Sequence, residues 1–142
     1  MFITREDLDN SLYEETINAI VRFYDGNEPK AQARIDYGIR TAISTVEAHI
    51  CSLWDASQIF SKTGVERNPM LVDICCNIAL YIIADVLEVI PVTIAGPYKD
   101  AMKLLKKIVK SEISIPGATR PVDPETGAPD NYIKHGGIAR IY

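Results

Sequence analysis

The residues with the most chemistry to offer in this 142-residue chain are three cysteines and two histidines. His49 stands two positions before Cys51, Cys75 and Cys76 are adjacent, and His135 is far downstream. A thiolate nucleophile needs an oriented base beside it. Residues two apart on a helix do not face each other, so His49 is badly placed to activate Cys51. A zinc site draws Cys and His ligands at short, defined spacings. Neighbouring cysteines on a helix point about 100° apart, so Cys75 and Cys76 cannot easily share one metal. His49, Cys51 and one of that pair could converge in principle, but buried structural cysteine is the commoner role. Glu47 and Asp55 could pair as carboxylates, yet eight helical residues separate them by about 12 Å, too far for glycosidase-type work. Trp54-Asp55 reads as a packing residue followed by a local cap. "GAPDNYIKHGG" lacks the strand context and the Lys-Ser/Thr ending of a phosphate loop. We therefore assign no catalytic, cofactor-binding or metal-ligating residue and expect a protein that is not an enzyme.

The elements that would position such residues are helical. Thr4 and Asp7 have capping-box spacing at the start of a short helix. In "SLYEETINAIVRFYDG", Ser11 can cap with Glu14 in reciprocal position, and Leu12, Ile17, Ile20, Val21 and Tyr24 form one apolar stripe. "DGNEP" is a turn. Ile35, Ile39, Ala42, Val46, Ile50 and Leu53 recur at helical steps in the longest amphipathic segment, which should end between Trp54 and Ser57. Ile59 and Phe60 should then tuck back onto the core. "SKTGVER" reads as a loop in which Gly64 can supply a positive φ.

Asn68-Pro69 is a strong helix start, a capping side chain followed by a proline whose missing N–H costs nothing there. The helix then runs to near Pro91 through "MLVDICCNIALYIIADVLEV". Asp73, Asn77, Asp85 and Glu88 interrupt this apolar run, and charges at membrane depth are expensive. A helix apolar over most of its circumference belongs at the centre of a bundle in water. "PVTIAG" is expected to be an extended connector. The last helix follows, with Tyr98, Ala101, Leu105, Ile108 and Val109 on one side. Lys99, Lys103, Lys106, Lys107 and Lys110 lie mostly on the other side, a solvated face or a contact for another subunit or a phosphate.

Half of the eight prolines and half of the eight glycines follow Lys110. We divide the chain into a helical domain, residues 1–110, and a Pro/Gly-rich tail, residues 111–142. The tail keeps Tyr132, Ile133, Ile138, Ile141 and Tyr142 as apolar anchors and suits an arm draped over a neighbour. The expected architecture is all-α, a small bundle of four to five helices with an extended C-terminal tail.

The net charge of -4 gives no basic stripe of the kind general nucleic-acid binding requires. The charge is polarised. Residues 1–96 carry 7 Lys/Arg against 14 Asp/Glu, and residues 97–142 carry 8 against 5, which favours head-to-tail contacts between copies. Three cysteines without CxxC spacing point to a reducing compartment, and "MFITREDLDN" has no signal-peptide pattern.

Several short motifs, in order, resemble a family of Mu-like phage and prophage proteins, a domain of unknown function whose members are regarded as head–tail adaptors, or connectors. Phe2–Leu8 is similar to the family's opening. Glu47 and Trp54-Asp55 stand where it has an acidic residue and then an aromatic-Asp pair. Arg67-Asn68-Pro69 and Ile78-Ala79-Leu80-Tyr81 resemble its "RNP" and "IALY". Tyr98, Ala101 and Leu105 resemble its last helix, and Ile115-Pro116-Gly117 its proline-bearing exit. The resemblance covers residues 2–117. Two places depart from it: Leu53 where relatives have Arg, and Ile82-Ile83 where they have a histidine.

The resemblance implies a structural subunit of a ring of identical copies between portal and tail. Such a ring binds the portal protein and a neck or tail-completion protein and continues the DNA channel without sequence-specific binding. It implies no cofactor, no membrane, assembly in the host cytoplasm and a final place at the virion neck. The alternative from the residues alone is a generic helical interaction module of the host.

Overall fold

The computed structural model describes residues 1–9 and 11–118, without the side chains of Ser11 and Leu12. The Ser11 cap, the place of Leu12 in its stripe, His135 and the tail anchors from Tyr132 onward lie outside the described residues. Five α-helices follow one another: α1 Ser11–Phe23, α2 Glu28–Ile50, α3 Ala56–Phe60, α4 Pro69–Ala84 and α5 Val92–Val109. Short 3-10 turns, Arg5–Leu8 and Gly64–Glu66, precede α1 and α4. No strand occurs among the described residues. The all-α bundle expected from the periodicity is the observed fold.

Asparagine starts both main helices. The Asn27 side-chain Oδ1 accepts from the Lys30 amide at 3.2 Å, and that of Asn68 accepts from the Leu71 amide at 3.1 Å. Each satisfies an amide that has no partner inside its own helix. Gly64 has the positive φ, +59°, that its loop requires.

The apolar run at 70–84 occupies the centre. α4 packs along both α2 and α5, which also touch each other, and α1 and the first 3-10 turn add to its cover. Leu71, Ile74, Cys75, Ile78, Ala79, Leu80, Ile83 and Ala84 are buried, while Asp73 is exposed. No described helix is long and apolar enough to cross a membrane. Burying side chains of this size stabilises by about 1.5–3 kcal/mol each, which is why the central helix needs so little polar surface.

At Gly38 of α2 the backbone comes close to α4. A Cβ built there would stand 2.5 Å from Cγ1 of Ile83 and 3.2 Å from the Ala79 carbonyl oxygen. The absent side chain lets the α2 backbone lie directly on α4. Arg34, one turn earlier, donates from its guanidinium to the Ile82 carbonyl and sits over the Tyr37 ring at 5.2 Å. It thereby gives one of the last α4 carbonyls a partner.

Four boundaries differ from expectation, each for a packing reason. α2 ends at Ile50 rather than beyond Trp54, because Leu53 and Trp54 turn inward, their amides both donating to the Ile50 carbonyl. α4 ends at Ala84 rather than near Pro91: Val86, Leu87 and Ile90 fold back onto the core instead of continuing along the axis. Residues 92–96 are helical and not an extended connector. α5 starts at Val92 with Pro91 as its cap and carries Pro97 inside. Pro97 lies near the helix start, so the ring removes one ladder bond without splitting the helix. Finally, the core continues past Lys110, since Ile115 is 3% exposed and Ile113 packs against the core.

Gly38→Ala should lower stability by about 1–3 kcal/mol, because overpacking outweighs the roughly 1 kcal/mol helix-propensity gain. Urea unfolding measures this. In the Gly38→Ala/Ile83→Ala double variant the loss should be smaller than the sum of the two single losses.

Candidate functional site

The short motifs singled out in the sequence come together at two joints. The first begins at Thr4, whose amide donates to Asp7 Oδ2 at 2.7 Å as the capping spacing foretold. That leaves the Asp7 carboxylate facing Arg67, 60 residues later. Arg67 Nη1 and Nη2 donate to the two Asp7 oxygens at 2.7 and 2.9 Å, a bidentate fork. Nη1 also donates to the Phe2 carbonyl at 2.9 Å, and Nε to the Gly64 carbonyl at 2.7 Å. One guanidinium thus ties the N-terminal turn, the 64–67 loop and the start of α4 together. The Phe2 ring meets Phe60 with centroids 4.7 Å apart, and the Cys76 thiol lies 3.7 Å from the Asp7 carbonyl.

The Asp7 and Arg67 side chains are only 16% and 17% exposed. The Arg67 hydrogen bonds hold the Asp7 carboxyl below its ordinary value against the opposing effect of burial, and Asp7 raises Arg67 in return. The Arg5–Asp36 pair also reaches 2.7 Å, but both partners are over 40% exposed and such pairs contribute little.

The second joint is between α4 and α5. Tyr81 stacks on Tyr98 with ring centroids 3.8 Å apart and planes 11° from parallel. Ala101 and Leu105, further along the same face of α5, are buried. Trp54 is buried, and the Asp55 carboxylate caps α3, accepting from the Gln58 amide at 3.3 Å and the Ser57 hydroxyl at 2.8 Å. The aromatic-Asp pair is therefore a packing residue and a cap, as its sequence suggested. The departing Ile83 is fully buried against Gly38, and Leu53 is buried as well.

Residues 2–132 match the family described as Bacteriophage Mu, Gp36. The chain belongs to that family. No curated protein and no solved structure matches it.

In this Gp36-family chain the thiols and imidazole stay apart. The His49 Nδ1 donates to the Thr45 carbonyl at 2.7 Å, and the Cys51 thiol lies 3.4 Å from the Ala48 carbonyl, both on the exposed side of α2. Cys75 is buried in the core and Cys76 lies beside Asp7. Burial pushes both of these thiols up to about 12, with Asp7 and Asp73 adding to the effect at Cys76. A thiol so raised is a poor nucleophile at neutral pH. Among the described residues no group of three or more His, Cys, Asp or Glu could hold a metal ion.

Beside the first joint lies an open groove of about 640 Å³. Val65, Val72, Asp73, Cys76 and Leu80 contribute its walls, and the Asp7–Arg67 pair lies along it. Neither the fork nor this groove was legible in the sequence. Arg67 stood out only through its place before Asn68-Pro69, and nothing local names Asp7 as its partner.

Asp7→Asn should cost about 1–3 kcal/mol at pH 7, since charge-assisted bonds are lost and the largely covered Arg67 is left without its counter-charge. Because the folded carboxyl is depressed, its stabilisation is complete above the unfolded value near 4 and fades as pH falls through the lower folded value. Urea titrations at pH 7 and pH 3 should therefore show the deficit narrowing in acid. In the native protein, an aromatic disulfide reagent should label Cys51 rapidly, with Cys75 and Cys76 reacting only on unfolding.

Proposed function

We propose that this chain is a structural subunit of the head–tail connector of a Mu-like phage or prophage. Copies of it form a ring between the portal and a neck or tail-completion protein. The ring continues the channel through which DNA leaves, without reading its sequence. Subunits collect in the host cytoplasm and end at the virion neck. The protein works by binding and sealing, with no turnover.

The observation that carries this reading is what the family motifs do. Residues of the motifs that resemble the family serve rigidity: Asp7 and Arg67 clamp the N-terminal turn, Asn68 and Asp55 cap helices, and Tyr81 stacks on Tyr98. A rigid block whose inner residues are all engaged in packing suits a wall component, whose work is done by its outer faces. The charge division supports the ring. The four lysines of α5 and Lys110 just after it are exposed, on a chain whose first 96 residues carry a surplus of acid. Opposite charge at opposite faces favours heterologous contacts, which close into rings when the rotation allows. Membership of a phage family favours this reading over a host interaction module.

The test is electron microscopy of the purified chain mixed with the portal protein of a Mu-like phage. Rings seated on the portal are the expected outcome. A chain that stays monomeric and unattached at micromolar concentrations of both proteins would overturn the proposal. Reversing three of the α5 lysines (Lys99→Glu, Lys103→Glu, Lys106→Glu) should leave the fold intact and weaken ring formation at least tenfold.

A further inference from the structure

One end of the bundle gathers exposed apolar side chains and acid. Arg34 donates to the Ile82 carbonyl, which sets the first half of α2 beside the last turn of α4. Ala19 of α1 lines one narrow cleft with Leu87 and Pro91 of the α4–α5 connection. The turn between α1 and α2 and the connection after α4 therefore share that end. Among the described residues six large apolar side chains are strongly exposed. Three of them, Phe23, Val89 and Val92, lie in or border these two segments, at 47%, 77% and 83%. Asp25, Glu28, Asp85 and Glu88 are exposed there as well, against Arg22 and Lys30. An exposed apolar surface with a charged rim marks an interaction site.

α5 carries the opposite charge further along. Lys103, Lys106, Lys107 and Lys110 are exposed, with half-buried Met102 and Val109 at helical steps from Lys106. No acid falls between Lys103 and Lys110. Among the described residues the ion pairs are Arg5–Asp36 and Asp7–Arg67, so neither these lysines nor the four acids have an ion-pair partner within the described chain. Along α5, Lys106 stands about 21 Å from Val92, more than twice the roughly 8 Å over which charges act at physiological salt. The lysines therefore do not neutralise the acidic end of their own molecule. When two copies meet, two acidic ends repel each other, and so do two lysine faces. The unlike pairing brings opposite charges together, and lysine stems can cover valine while their ammonium groups reach the carboxylates.

We propose that a second copy of this chain covers the acidic end: Asp85, Glu88, Val89 and Val92 of one molecule pack on the α5 face from Met102 to Lys110 of the next. The contact is heterologous, so each molecule keeps a free face for a further copy, and the series closes into a ring when the rotation allows. These are the surfaces of the ring contact, and in that respect the proposal rests on the connector reading.

Sedimentation equilibrium of the full chain at high micromolar concentration and low salt tests it. One variant carries Asp85→Lys and Glu88→Lys, and the other Lys103→Glu and Lys106→Glu. All four positions are exposed, and circular dichroism checks that both variants fold. The native chain should self-associate, and each variant alone should do so about tenfold more weakly. An equimolar mixture of the two variants should regain native association, because each supplies the charge that the other now needs. Val89→Ser should weaken native association about threefold. A native chain that stays monomeric, a mixture no better than either variant alone, or a Val89→Ser variant that associates unchanged overturns the proposal. Rings on the portal from charge-reversed variants that self-associate like the native chain overturn this interface and leave the connector reading standing. Association restored by mixing, in a chain that never seats on the portal, supports the interface and counts against the connector reading.

Discussion

The bundle depends on how near α2 can come to α4. Gly38 presents bare backbone to Ala79 and Ile83, so at that position no side chain of α2 stands between the two helices. Everything outside that contact takes its position from it. α5 packs on α4 and also touches α2, α1 leans on α2 and α4, and the N-terminal turn meets α4 at Cys76. A helix as apolar as α4 is stable in water only when covered on most sides, and the close fit at Gly38 supplies one continuous side of that cover. Dispersion contacts fall off steeply with separation, so a small displacement here would weaken packing along both helices.

Much of this was legible because it depends on short-range rules. Asn68 caps as its sequence context dictates, the α2 stripe from Ile35 to Leu53 is buried throughout, and Gly64 takes the backbone conformation that only glycine adopts cheaply. The failures share one cause. Helix ends are decided by where the next apolar residues can reach the core, which is a tertiary matter. Leu53 and Trp54 turn in and stop α2, Val86 and Leu87 do the same to α4, and Pro97 is accommodated inside α5 although local chemistry argues for a connector. Asp7 and Arg67 illustrate the same limit for polar groups. Each is recognisable locally, as a reciprocal cap and as the residue before a capped helix, but their fork exists only once the chain has folded.

The family motifs gain a physical meaning from these contacts. Short similarities scattered along a chain suggest a distributed active site, yet here the motif residues pair with each other or with backbone. Tyr81 finds Tyr98, Arg67 finds Asp7 and the Phe2 carbonyl, and Asp55 finds the first turn of α3. Their joint effect is to fix the relative positions of helices whose outer surfaces differ in charge.

The fork also sets an order in time. Phe2, Ile3 and Leu8 are buried, but the groups that bury and clamp them include Phe60, Arg67 and the α4 face near Cys76. Synthesis proceeds from the N-terminus at about 5–20 residues per second, so these greasy first residues wait for several seconds with no native shelter. Their lodging place leaves the ribosome only when half the chain has been made. Phe2, Ile3 and Leu8 therefore go without their native cover until Phe60, Arg67 and Cys76 have been made.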